Sequence, residues 1–295
     1  MNRNIKPNLI LVSICLGIFL SCSSAPKNPP GTYDARNEAA RLVQLGSKSL
    51  REGANAVARE YYKEAYRIYT AMDEAEGRVR ALDGLGRTAS PNLIAVGEKT
   101  AAQLWVDAAL IADESGQEVV KALASLLNAE LGLLSQDPDV LNASYASARD
   151  AASKLSRYPA DQARAYRVAG AGAKALGDYK EALKLLEEAA SLDKKERAYA
   201  ELASDRYLAA SIYSKEGDYS SAEFLLLDAL KNDRRAEHPA GIAGDYLALG
   251  LVAEKSGKIV EASRFYQRSA DVYSAIRMED HAADARARQA KLAAK

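Results

Sequence analysis

From Asp34 onward, apolar residues return every three or four positions, the spacing that lines one face of a helix. No stretch sustains the alternation of β-branched and polar residues that a strand requires, so the chain is predicted to be all-α. A longer pattern overlies the helical one. Gly53, Gly97, Gly177, Gly217 and Gly257 are each followed five positions later by an alanine, at Ala58, Ala102, Ala182, Ala222 and Ala262. The last three copies are evenly spaced at about 40 residues, a period that means a solenoid of stacked helix pairs. The interval from Gly97 to Gly177 is about two periods, which leaves room for a degenerate copy around Asp137-Pro138, where the glycine and both alanines are lost. A unit of this size accommodates two helices of roughly 17 residues, each about 25 Å long.

Each copy holds a fuller signature. One reads Ala169-Gly170, Gly177-Asp178-Tyr179, Ala182, Ala189, and the next Ala209-Ala210, Gly217-Asp218-Tyr219, Ala222, Ala229. A third reads Leu249-Gly250, Gly257, Ala262, Ser269, and an early one Leu45-Gly46, Gly53, Ala58, Tyr62, Ala65. Two antiparallel helices approach closely only where facing positions are small, and Tyr62, Leu186, Leu226 and Tyr266 are the bulky residues expected to fill the space between layers. The glycines suit the turn that ends the first helix, and Asp178 with Glu181 three residues on has capping-box spacing. On these residues the chain resembles the tetratricopeptide family, in an elongated form with a longer period and no terminal proline. The resemblance implies a right-handed superhelical solenoid of antiparallel helix pairs. About six pairs are expected over residues 34–276, and residues 277–295 form a capping helix, with Arg286, Arg288 and Lys291 among alanines and Leu292.

The N-terminus reads differently. A short basic start with Arg3 and Lys6 leads into a mostly apolar run, Leu9 to Leu20, too short to span a bilayer that needs about 20 helical residues. Cys22 follows directly behind the small Ser21, so residues 1–21 resemble a bacterial lipoprotein signal peptide with Cys22 as the lipidated residue, carrying palmitate-type acyl chains. Phe19 and Leu20 depart from the usual box, and a secretory signal cut slightly later or an uncleaved anchor are the alternatives. Cys15, the other cysteine, lies inside the apolar run. Residues 22–33 are rich in serine, proline and glycine, a composition for an extended tether. No aspartate follows Cys22, and by resemblance this points to the periplasmic side of the outer membrane.

Composition narrows the chemistry. There are 40 basic and 40 acidic residues, and loss of Arg3 and Lys6 with the signal leaves two more acidic than basic. That balance lacks the concentrated basic surface that phosphate-backbone binding needs, so no nucleic-acid partner is expected. His238 and His281 have no cysteine or histidine at ligand spacing, so no metal site and no cofactor is expected. No nucleophile elbow, phosphate loop or dinucleotide fingerprint occurs, and the irregular stretch from Thr88 to Lys99 holds no nucleophile with a base, so the chain reads as a non-enzyme. Tyr61, Tyr62, Tyr66, Tyr69 and Trp105 read as rings that bridge packed layers.

In tetratricopeptide proteins the first helix of each pair lines a concave groove. Carried over residue by residue, the groove positions are Arg164, Arg167 and Lys174, then Tyr207, Ser211 and Ser214, then Leu247, Leu251 and Glu254. The first three would give a basic face for a carboxylate or phosphate, against the plainer reading of a solvated helix face. The asparagine and lysine set that clamps a C-terminal carboxylate in some members is not reproduced. The expected function is a lipid-anchored periplasmic scaffold or adaptor that binds an envelope protein or peptide in assembly or transport. The alternative is a ligand-handling accessory lipoprotein of a transporter, acting as a homo-oligomer.

Overall fold

The computed structural model describes residues 32–89 and 97–293. The predicted signal, Cys22 and nearly all of the tether lie outside the described residues, as do positions 90–96 of the irregular stretch and Ala294. Among the described residues the chain is helical throughout, with thirteen helices and no strand. They are α1 (Thr32–Arg51), α2 (Asn55–Ala71), α3 (Ala75–Arg87), α4 (Ala101–Ser115), α5 (Glu118–Gly132), α6 (Pro138–Lys154), α7 (Pro159–Ala175), α8 (Tyr179–Glu196), α9 (Tyr199–Glu216), α10 (Tyr219–Arg235), α11 (Pro239–Lys255), α12 (Ile259–Ala275) and α13 (Glu279–Ala293). Each packs chiefly on its neighbours in the chain, so twelve helices form six antiparallel pairs and α13 covers the open end.

The turn inside a pair follows from the repeated glycine. Gly177, Gly217 and Gly257 take φ of 86°, 83° and 81°, the left-handed conformation in which a side chain is strained. The next residue then donates its N–H back over the helix end: Asp178 to the Ala173 carbonyl at 2.9 Å, Asp218 to Tyr213 at 3.0 Å, Lys258 to Ala253 at 2.9 Å. This is a Schellman closure, which satisfies carbonyls that a helix end leaves free. Asp178 and Asp218 next accept from the backbone N–H of Glu181 and Ser221, capping α8 and α10.

Gly97 directly follows the undescribed positions 90–96 and closes no described helix, and Ala102 is only the second residue of α4 and partly exposed. The working positions of that copy are Trp105 and Ala108, both buried, with the Trp105 indole seated on Gly86. Inserted backbone before α4 shifts the pattern, so a sequence match at the glycine mispositions it.

Between pairs, the same closure is made without glycine. Arg197, Glu237 and Arg277 take φ of 58°, 51° and 61°, and the following Ala198, His238 and Met278 donate to the carbonyls of Asp193, Asp233 and Tyr273. In the three C-terminal units turn geometry therefore agrees at both turns, although only the inner one is marked by a glycine.

The core is the interface between layers. Ala58, Ala182, Ala222 and Ala262 are wholly buried, and Tyr62, Leu186, Leu226 and Tyr266 fill the expected spaces. Tyr62 shows how tight the fit is: a Cβ on Gly46 would lie 2.8 Å from its ring and one on Gly84 2.2 Å. Leu292 of α13 joins Ala262 and Tyr266, while Arg286 and Lys291 face outward, which is the arrangement of a polar cap.

Candidate functional site

Residues of α1, α3, α5, α7 and α9, the first helices of five pairs, line one open cleft of about 710 Å3. Charged side chains are knitted across it. Arg80 of α3 reaches Asp161 of α7 at 2.6 Å, and Asp83 of α3 receives Arg164 of α7, also at 2.6 Å. These two pairs run in opposite senses and each spans two repeats. From the intervening α5, Glu130 takes Arg164 at 2.5 Å and Arg87 at 2.7 Å. Burial opposes the charge on Arg164, but Asp83 and Glu130 outweigh it and raise its pKa. Burial likewise works against ionised Asp83, and Arg164 and Arg87 bring its pKa below the usual carboxylate range.

Arg167 is held deeper, between Asp205 at 2.6 Å and Asp193 at still closer range. Both carboxylates are only 1% exposed. Burial, opposed by Arg167 and reinforced by Asp193, lifts the Asp205 pKa to about 7. Two of the three residues predicted to form a basic face are thus neutralised by carboxylates of the chain itself. Lys174 differs: it is half-buried, and burial followed by repulsion from Lys215 lowers its pKa.

The other predicted positions divide. Tyr207, Ser211 and Ser214 of α9 meet Leu251 and Lys255 of α11 around a smaller cleft of about 200 Å3. Leu247 instead packs toward α13, and Glu254 accepts from the Tyr266 hydroxyl at 2.9 Å, so both serve the C-terminal layers.

A third cavity, about 310 Å3, was not anticipated. Its wall includes Ser204, Tyr207 and Leu208 of α9, Asp233 of α10, His238 from the turn that follows, and Gly241, Gly244 and Asp245 of α11. Ser204 and Leu208 also line the large cleft, so the two spaces share a wall. His238 Nδ1 stands 3.0 Å from Asp233, and Asp245 Oδ2 is buried with no hydrogen-bond partner. Burial, with the adjacent Asp233 carboxylate, lifts the Asp245 pKa to about 9. The signal for this site was Asp193 and Asp205 recurring one period later as Asp233 and Asp245, but an aspartate in a helix ordinarily reads as solvated. Among the described residues no cluster of histidine, cysteine and carboxylate groups has the geometry to hold a metal ion. Nor is any described helix long and apolar enough to cross a membrane.

No protein-family model matches the chain, and no curated protein is significantly similar to it. Solved structures are. A Rap protein, solved in complex with competence and sporulation factor, aligns over 86% of this chain and 74% of its own with a TM-score of 0.55 at 15% identity. The apo form of RapI aligns over 86% of this chain and 85% of its own, with a TM-score of 0.53 at 12% identity. At such identities the likeness is one of fold. With the antiparallel pairs, the glycine turns and the layered core, it makes the fold of this chain a tetratricopeptide-type helical solenoid.

Proposed function

We propose that the chain is a protein-binding adaptor that holds an extended segment of an envelope protein along its concave face, and is itself held by lipid on Cys22 at the periplasmic side of the outer membrane. The observation that carries the binding role is the continuous cleft lined by the first helices of five pairs, a surface that only the stacked array creates. Its walls offer polar and charged groups beside apolar ones such as Val43, Leu133 and Val168, a mixture suited to a peptide rather than to a compact apolar molecule. The Rap structure in complex with its factor supports the same reading by analogy of fold. Anchoring rests on the sequence of residues 1–22.

The test places a photo-cross-linking residue at Ala171, in the wall of the cleft, in the full chain and irradiates intact cells. A discrete protein adduct, lost when the cleft is blocked, is expected. Adducts only with further copies of the chain would reject the adaptor in favour of an oligomeric ligand carrier. Anchoring is tested separately: palmitate incorporation and fractionation with outer membranes should both vanish in Cys22→Ala.

A further inference from the structure

The repeat supplies its own comparison for the cavity between α9 and α11. One unit earlier, Asp193 and Asp205 occupy the positions of Asp233 and Asp245, and the guanidinium of Arg167 lies between them. In the later unit the position of Arg167 is taken by Tyr207, that of Glu201 by Gly241 and that of Ser204 by Gly244. The carboxylates are retained, the guanidinium is replaced by Tyr207 in the wall and the side chains of Glu201 and Ser204 have no counterpart, leaving the cavity of about 310 Å3. Asp245 is 2% exposed and its Oδ2 has no partner. Asp205 Oδ2 is unpaired too, but its Oδ1 takes Arg167, whereas in the later unit Tyr207 stands where that cation would be, and a buried carboxylate without its cation calls for a reason.

We infer that the Asp233–Asp245 cavity is a receptor for an arginine side chain of the bound partner, which enters from the concave cleft and takes the place that Arg167 fills within the chain one repeat earlier. This inference rests on the adaptor reading for the origin of the arginine. The planar fork of a guanidinium matches a pair of carboxylates, and the fork held by Asp193 and Asp205 shows that this spacing accepts it. The wall shared through Ser204 and Leu208 lets a segment lying in the large cleft send one side chain into the cavity. His238 on the near side hydrogen-bonds Asp233 and leaves the Oδ2 of Asp245 to the incoming group.

The probe is a dye-labelled heptapeptide library with arginine fixed at its centre, measured by fluorescence anisotropy on the full chain in detergent beside the same library with citrulline there. Citrulline keeps the shape and removes the charge. The arginine library is expected to bind about tenfold tighter or more. Asp245→Asn should abolish that preference. So should Tyr207→Arg, which rebuilds the internal arrangement, and this second variant should also unfold at higher temperature than the parent, which excludes misfolding as the cause. Equal binding of the two libraries by the parent chain overturns the inference while leaving the adaptor reading to its own cross-linking test. A preference that survives in both variants overturns it too. Free arginine that displaces the peptides at matched concentration would overturn the assignment to a partner segment and make the cavity a site for the free amino acid.

Discussion

Replacing Arg167 by alanine would leave Asp193 and Asp205, each 1% exposed, facing one another without a cation. The chain contains the outcome of that experiment one repeat on. With the guanidinium beside it, burial lifts the Asp205 carboxyl only to about 7, whereas in the equivalent place without one, burial and the Asp233 carboxylate lift Asp245 to about 9. At about 1.36 kcal/mol per pKa unit, the difference assigns the cation roughly 3 kcal/mol of stabilisation of the ionised carboxylate. Removing one partner from a buried ionic cluster costs about 3–5 kcal/mol, so Arg167→Ala is expected to lose that much at pH 9. The loss must depend on pH. Below about pH 6 Asp205 is protonated with or without Arg167, so its share of the penalty is small; as pH rises from about 7 to about 9 Asp205 ionises at lower cost in the parent than in the variant, and the penalty grows by roughly 3 kcal/mol. Urea unfolding of parent and variant at pH 5.5 and 9 measures it. A penalty under about 1 kcal/mol, or one equal at both pH values, would refute the reasoning.

Gly84→Ala would drive a methyl to 2.2 Å from the Tyr62 ring, and the overpacked layer should lose about 1–3 kcal/mol in urea unfolding; an unchanged midpoint would mean that α3 shifts freely. Glu237→Gly relieves a left-handed residue at φ 51°, so the midpoint should rise by up to about 1 kcal/mol, and a fall would refute the strain. Asp161→Asn breaks the bond from Arg80 across two repeats, with an expected loss of about 1–3 kcal/mol and a larger radius of gyration by small-angle scattering, where an unchanged radius would show that the pair does not set curvature. Lys174→Met removes a half-buried ammonium whose pKa burial and Lys215 depress, so stability should rise while the partner cross-link is lost; a lower midpoint would give Lys174 a structural role.

The fold was legible because its rule is short. A small residue must face a bulky one where helices cross, and a glycine must take the left-handed turn, so Gly170 with Leu186 and Gly177 before Ala182 are visible without a structure. Where the rule is met by other means it is hidden. Arg197, Glu237 and Arg277 make the same closure as the glycines, and Trp105 on Gly86 replaces the shifted match at Gly97. The concave face was harder to read because which helix lines it depends on position in the pair, whereas what its residues do depends on contacts 26 to 81 positions away. Arg164 and Arg167 were rightly placed on α7, yet their carboxylates come from α3, α5, α8 and α9, and no local spacing announces that. Tyr207, Ser211, Ser214 and Leu251 converge since α9 and α11 are successive first helices one period apart.

These contacts change how the groove must be probed. Substituting Arg164, Arg167 and Lys174 together by alanine would test binding only if the arginines were free, and they are the cations that neutralise Asp83, Glu130, Asp193 and Asp205. Loss of a partner in that variant would follow from a weakened solenoid as readily as from a lost contact, because removing Arg167 strands Asp193 and Asp205 and removing Arg164 leaves Asp83 and Glu130 to Arg87 alone. A residue that recognises a partner should show the opposite sign: its own placement in the free protein is unfavourable, and its removal stabilises the fold while abolishing binding. Lys174, half-buried beside Lys215, and Asp245, buried with an oxygen unpaired and without a cation, fit this description, one basic and one acidic. Since they stand on α7 and α11, the partner segment proposed above is expected to carry an acidic residue near one end and an arginine near the other.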